Sequence, residues 1–220
     1  LVDRRLISNS REPDFDEAPH RAYNARPDAF LVHFGALALS LRPEGDKVEA
    51  VQTIPASPIR LLNRVKAVEG ACNGWRDGLK VRFEPEGKGF MLTIEGRFPA
   101  SCGEKTFNLA VPDSLRWAGA VIRAQWQELG GTWAGELRDA SLPENPASPF
   151  STWESPSLPE VLRDMDKWSN NVMARQIFLE LGDTGQGRLS PEKTLERLRP
   201  WMKAQGLEPA KWVFENGSGL

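Results

Sequence analysis

Between residues 29 and 111 the apolar side chains recur at every second position. After residue 113 they recur every three or four. Phe30, Val32 and Phe34 alternate, and Leu37, Leu39 and Leu41 repeat the alternation, which predicts strand with one buried face. His33 then falls on the face opposite Val32 and Phe34, as a structural or solvent-facing histidine rather than a ligand. A turn at PEGD leads into KVEAVQTI. LKVRFEP and GFMLTIEGRF flank EGKG, the pattern of a hairpin with a glycine-bearing loop, and TFNLAV closes the run. Short strands punctuated by turn residues predict a compact antiparallel β module.

The helical half opens at Asp113 or Ser114, either of which can cap SLRWAGAVIRAQWQELGG before Gly130 ends it, with Trp117, Val121, Ala124 and Leu129 near one face. TWAGELRDA reads as strand, PENPASP as loop and FSTWESP as a short extended piece. LPEVLRDMDKW sets Leu158, Val161, Leu162, Met165 and Trp168 at helical spacing. VMARQIFLEL is apolar nearly all round, broken by Arg175, Gln176 and Glu180, which predicts a buried helix. SPEKTLERLRPWMKAQG predicts another, with Ser190 as cap and Pro191 in the first turn. KWVFE is a last strand candidate. The expected class is α+β, divided into an irregular segment 1–28, a β-rich module 29–111 and a mainly helical portion 112–220.

Composition narrows the functional classes. An apolar share of 40% and a charged share of 26% are ordinary for a folded chain, and seventeen Pro and nineteen Gly favour turns and strands over a bundle. The net charge is −2 and no basic run stands out, so nucleic acid is not an expected partner. The longest apolar run, AFLVHFGALALSL (29–41), is too short to span a membrane and carries His33. The chain begins LVDRRL, without an initiator Met or a leader pattern, and ends on the glycines of NGSGL, so both ends read as cuts in a longer polypeptide.

Cys72 and Cys102 both stand among turn residues, in GACNGW and ASCGE. One intramolecular bridge is possible and would need an oxidising compartment; two free thiols are the alternative. No His or further Cys stands at ligand spacing from them, so no metal site is expected. The acidic stretch EPDFDEAPH (12–20), with His20, matches no ligand pattern and reads as a solvated loop.

The tripeptide Ser169-Asn170-Asn171 interrupts two apolar helical patterns without Gly or Pro. Residues two apart share a side in an extended or turn-like segment, so a helix break here lets Ser169 and Asn171 project into one cleft with Asn170 turned away. Equally, Ser169 or Asn170 can simply cap the following helix.

NARPDAFLV, the two cysteine stretches, WAGAVIRAQWQELGGTWAGEL, SPSLPEVLRDMDKWSNNVMARQIFLELG and ENGSGL together resemble the low-molecular-mass, class C (three-domain) penicillin-binding proteins, the D-alanyl-D-alanine carboxypeptidase/endopeptidase family. The resemblance implies a periplasmic serine acyl-transfer enzyme acting on peptidoglycan stem peptides and acylated by β-lactams, without metal or organic cofactor. Such enzymes use S-x-x-K, S-x-N and K-T-G motifs. Ser169-Asn170-Asn171 is implied to be the second, with the Ser169 hydroxyl on the catalytic lysine and the Asn171 amide on lysine and substrate. Many relatives carry Asp where Asn170 stands. ENGSGL resembles a loop near the active site, which implies substrate contacts at Gly217 and Ser218.

Two motifs are missing. Ser190-Pro191-Glu192-Lys193 spells S-x-x-K but follows the S-x-N motif and reads as a helix cap; Lys193-Thr194-Leu195 lacks the glycine of K-T-G and lies in a helical pattern. The chain is therefore expected to be an internal fragment: an inserted β-rich accessory module and one slice of a β-lactamase/transpeptidase-like catalytic domain, inactive alone. The alternative function is a non-catalytic scaffold, its β module docking to cell wall or a partner or mediating self-association.

Overall fold

The computed structural model describes residues 16, 18–140, 148–185 and 188–219. The acidic stretch 12–20 lies outside the described residues except for 16 and 18–20, as does the loop over 143–149 except for Ser148 and Pro149. The chain is α+β and divides into two compact units, one of residues 19–25 and 31–138, the other of 1–18, 26–30 and 139–220.

The first unit is a six-stranded sheet ordered β4-β5-β3-β2-β1-β6. Its strands are β1 (Ala36–Glu44), β2 (Lys47–Gln52), β3 (Ile59–Val68), β4 (Leu79–Glu86), β5 (Gly89–Pro99) and β6 (Lys105–Ala110). Leu37, Leu39 and Leu41 alternate inward as their period requires, and Phe90, Leu92, Ile94, Phe107 and Leu109 complete the same face. Pairing is antiparallel except between β3 and β5. The β4–β5 hairpin folds back so that its second strand inserts beside β3, and two turns of direction leave β3 and β5 parallel. The connection from β3 to β4 carries Trp75, edge-on to Phe98 and Phe107 at 5.4 and 5.5 Å, and Cys72, bonded to Cys102.

Strand β3 has no clean period in the sequence. Leu62 faces outward at 37% exposure, and Asn63 stands on the side of the apolar residues. There β2 and β3 share one ladder pair, Lys47 with Lys66, and Asn63 spans the splay by donating to the Val48 carbonyl at 2.6 Å.

The alternation at Phe30, Val32 and Phe34 does not make a strand. His33–Gly35 is a single 3₁₀ turn in which His33, Phe34 and Gly35 all have positive φ (49°, 54° and 66°), and β1 starts only at Ala36. The turn frees the Val32 carbonyl to accept from Gly35 N and from the indole of Trp117 at 3.1 Å.

Trp117, fully buried, belongs to α1 (Ser114–Glu128), whose Asp113 cap accepts from Arg116 N at 2.9 Å. With Ala118, Ala120 and Val121 also buried, α1 is part of the sheet unit. The composition change at residue 112 thus marks the onset of helix, while the seam between units falls near 138. Leu129, expected on the inner face, is 82% exposed, because α1 ends at Glu128. TWAGELRDA forms no strand: the Arg123 guanidinium bonds the Gly135 carbonyl and stacks over Trp133, so a side chain takes the place of a neighbouring strand.

The second unit contains α2 (Leu158–Lys167), α3 (Asn171–Glu180) and α4 (Pro191–Ala204). Val172, Phe178 and Leu179 of α3, Leu189, and Met202 of α4 are all buried, and the fully buried Thr194 of α4 donates its hydroxyl to the Phe178 carbonyl at 2.8 Å. Arg175 is also buried, whereas α3 exposes Glu180. KWVFE forms no strand; Trp212 and Phe214 stack on each other at 6.4 Å, and no strand runs beside them among the described residues.

Candidate functional site

Helix α2 starts where the Glu160 carboxylate reaches back to accept from the N–H and hydroxyl of Ser157. It ends at Trp168 in a two-bond stop: Ser169 N–H donates to the Asp166 carbonyl at 3.2 Å and Asn170 N–H to the Met165 carbonyl at 2.9 Å. That Schellman pattern needs a left-handed residue at its first position, normally glycine. Ser169 fills it with φ 47°. An L-residue in that region costs on the order of 1 kcal/mol. Asn170 then turns extended (φ −81°, ψ 98°) and its side-chain oxygen accepts from Met173 N at 3.1 Å, capping α3. Asn171 is the first helical residue.

The absence of Gly and Pro is thereby explained. Asn170 supplies the start signal, and its backbone N–H completes the stop. The cap and the break are one device. Among the described residues no side-chain hydrogen bond engages the Ser169 hydroxyl or the Asn171 carboxamide; Ser169 is exposed and Asn171 half-buried. Asp at position 170 can cap as Asn does, so the departure from the more common residue costs the junction nothing.

The other two stretches are structural. Ser190 caps α4, accepting from Lys193 N at 3.4 Å, and its hydroxyl holds the Glu192 carboxylate below its usual range. The Lys193 ammonium donates to the Arg188 carbonyl at 2.7 Å, and Thr194 serves the α3–α4 contact.

The ENGSGL loop lies on α3. Gly217, at φ 79°, approaches so closely that a Cβ there would stand 2.5 Å from the Phe178 Cβ. Phe178 follows Asn171 by two turns on the same face, ~10 Å along the axis. Ser218 donates both N–H and hydroxyl to Asn216 Oδ1, at 3.0 and 2.7 Å. The structure thus brings Gly217 onto the helix that Asn171 begins, near its opposite end, and satisfies Ser218 within its own turn. Arg175, one turn beyond Asn171, is the buried charge that sequence reading passed over as a mere interruption; its signal was a cation inside an otherwise apolar helix.

The family model for D-Ala-D-Ala carboxypeptidase 3 (S13) matches residues 1–220. The chain belongs to that S13 family. Its fold is similar to that of penicillin binding protein 4 (dacB) from Haemophilus influenzae, with a TM-score of 0.72 and 18% identity over 98% of this chain and 48% of that one. A second structure of the same protein, complexed with a novel β-lactam, matches with a TM-score of 0.66 and 18% identity over 90% of this chain and 45% of the other. This S13 chain therefore spans about half the length of the solved structures it matches. Among its described helices none is long and apolar enough to cross a membrane.

Proposed function

We propose that this chain carries the S-x-N portion of a serine-type D-alanyl-D-alanine carboxypeptidase/endopeptidase acting on peptidoglycan peptides. One observation supports the reading most. At the α2–α3 junction a serine occupies a glycine position and the cap duty falls wholly on Asn170, which leaves a hydroxyl and a carboxamide, two residues apart, without side-chain hydrogen-bond partners among the described residues.

In the proposed reaction a serine outside this chain attacks the carbonyl of the peptide bond before the terminal D-alanine. The C–N bond breaks, the amine takes a proton, and water then hydrolyses the acyl ester. The Ser169 hydroxyl bonds the catalytic lysine and relays that proton; the Asn171 amide holds the lysine and the substrate peptide. Gly217 and Ser218 contact the substrate from the loop that packs on Phe178 of α3. β-Lactams acylate the same serine. The catalytic slice is the helical unit from residue 139 onward, and the sheet unit is the accessory module. The Cys72–Cys102 bridge supports an oxidising location, which we take to be the periplasm.

The 220-residue chain alone is expected to resist labelling by a fluorescent penicillin. In the full-length protein, Ser169→Ala and Asn171→Ala should each slow acylation about 10²–10³-fold with circular dichroism unchanged. Normal acylation in both variants returns the motif to a purely capping role.

A further inference from the structure

The face of the sheet opposite the core gathers cations that are scattered in the sequence. Strand register places Lys47 of β2, Lys66 of β3 and Arg97 of β5 side by side in one row. The next row is Arg64, Glu95 and Lys80, and the next ends in Arg82 of β4. Arg60, one row further, is engaged by Glu86 at 2.7 Å. The other six cations make no ion pair among the described residues, and all are exposed.

Protection of a sheet edge accounts for Lys80 and Arg82, which stand on the terminal strand β4. It does not account for Lys66, Arg64 and Arg97 on β3 and β5, which are interior strands. Like charges directly opposite each other on a sheet face are destabilising. The Lys47–Lys66–Arg97 row makes that conflict twice; the glutamate at its end, Glu44 opposite Lys47 on β1, is engaged by Arg42. A groove of about 650 Å³ runs along β4 on this face, its charged lining being Arg64, Lys80 and Arg82 with Glu84 and Glu95.

We infer that this face docks the carboxylate-bearing peptide–glycan polymer of the cell wall. Rows about 4.8 Å apart between strands and about 6.8 Å between alternate residues offer a lattice of cations to carboxylates on a flexible peptide. Leu62 and Met91 offer aliphatic contact, and Glu95, flanked by Arg64 and Lys80, accepts an amine of the same peptide. No aromatic ring on these rows offers a base a stacking surface, which disfavours single-stranded nucleic acid. The choice of polymer rests on the cell-wall reading above; the charge argument does not.

The test is co-sedimentation of the 220-residue chain with purified insoluble peptidoglycan. Binding should weaken severalfold between about 50 and 300 mM salt, as screening of exposed charges requires. Arg64→Glu/Lys66→Glu/Lys80→Glu should lower affinity about tenfold or more, while Arg163→Glu on α2 leaves it unchanged. Lys66→Glu alone is the decisive variant: it replaces repulsion with attraction on both sides, so it should raise the melting temperature and still weaken binding. That combination cannot come from misfolding. The inference is overturned if the chain does not sediment, if the triple variant binds like the parent, or if duplex DNA or anionic vesicles bind at least as tightly through the same residues. Failure of the full-length protein to react with penicillin would instead remove the enzymatic reading and leave the sedimentation result standing.

Discussion

Ser169 carries two opposed demands. Its backbone sits where glycine is easiest, and its side chain is the group the proposed chemistry needs. Ser169→Gly separates them. Relief of the left-handed strain, offset by glycine's greater unfolded-state freedom, should leave stability unchanged or up to about 1 kcal/mol higher by urea midpoint. Acylation of the full-length protein should fall as it does in Ser169→Ala. A glycine variant that acylates normally would show that the hydroxyl is idle. Asn170 follows the opposite logic, since only its capping oxygen matters: Asn170→Asp should be neutral and Asn170→Ala should cost about 1 kcal/mol.

Helix α2 has no buried residue, so its ends do much to hold its position; Leu158, Leu162 and Trp168 all remain exposed. At its start the Glu160 carboxylate is held below the ordinary range, first by the Ser157 hydroxyl and then by the Ser157 backbone N–H. A carboxylate with a depressed folded-state pKa stabilises fully above the unfolded value and loses that contribution as pH falls through the folded one. The N-terminal turn of α2 should therefore loosen only in acid, below the ordinary carboxylate range. Ser157→Ala should move the Glu160 titration midpoint upward in carboxyl-detected NMR; an unmoved midpoint would mean that the hydroxyl bond does not form in solution.

At the scale of the molecule the sheet unit is closed by the Cys72–Cys102 bridge, which ties the β3–β4 connection to the end of β5 across a separation of 30 residues. Closing a loop of that length contributes about 3–4 kcal/mol on the chain-entropy view, so reductant should lower the urea midpoint of the sheet unit by that equivalent. An equal midpoint with and without reductant would mean that the bridge adds nothing. Local chemistry alone determined much of the rest: the period of Leu37, Leu39 and Leu41, the Asp113 and Ser190 caps, the β4–β5 hairpin and the S-N-N interruption are all decided by neighbours a few positions away. Tertiary structure decided what depends on distant partners. It turned Phe30–Phe34 out of strand because Trp117 claims the Val32 carbonyl, and it made a strand of Ile59–Val68 through β5 despite the blurred period. It also joined the two cysteines, and gathered Lys47, Lys66 and Arg97 into one row although no basic run exists in the sequence, because register assigns neighbours across strands that chain order does not contain.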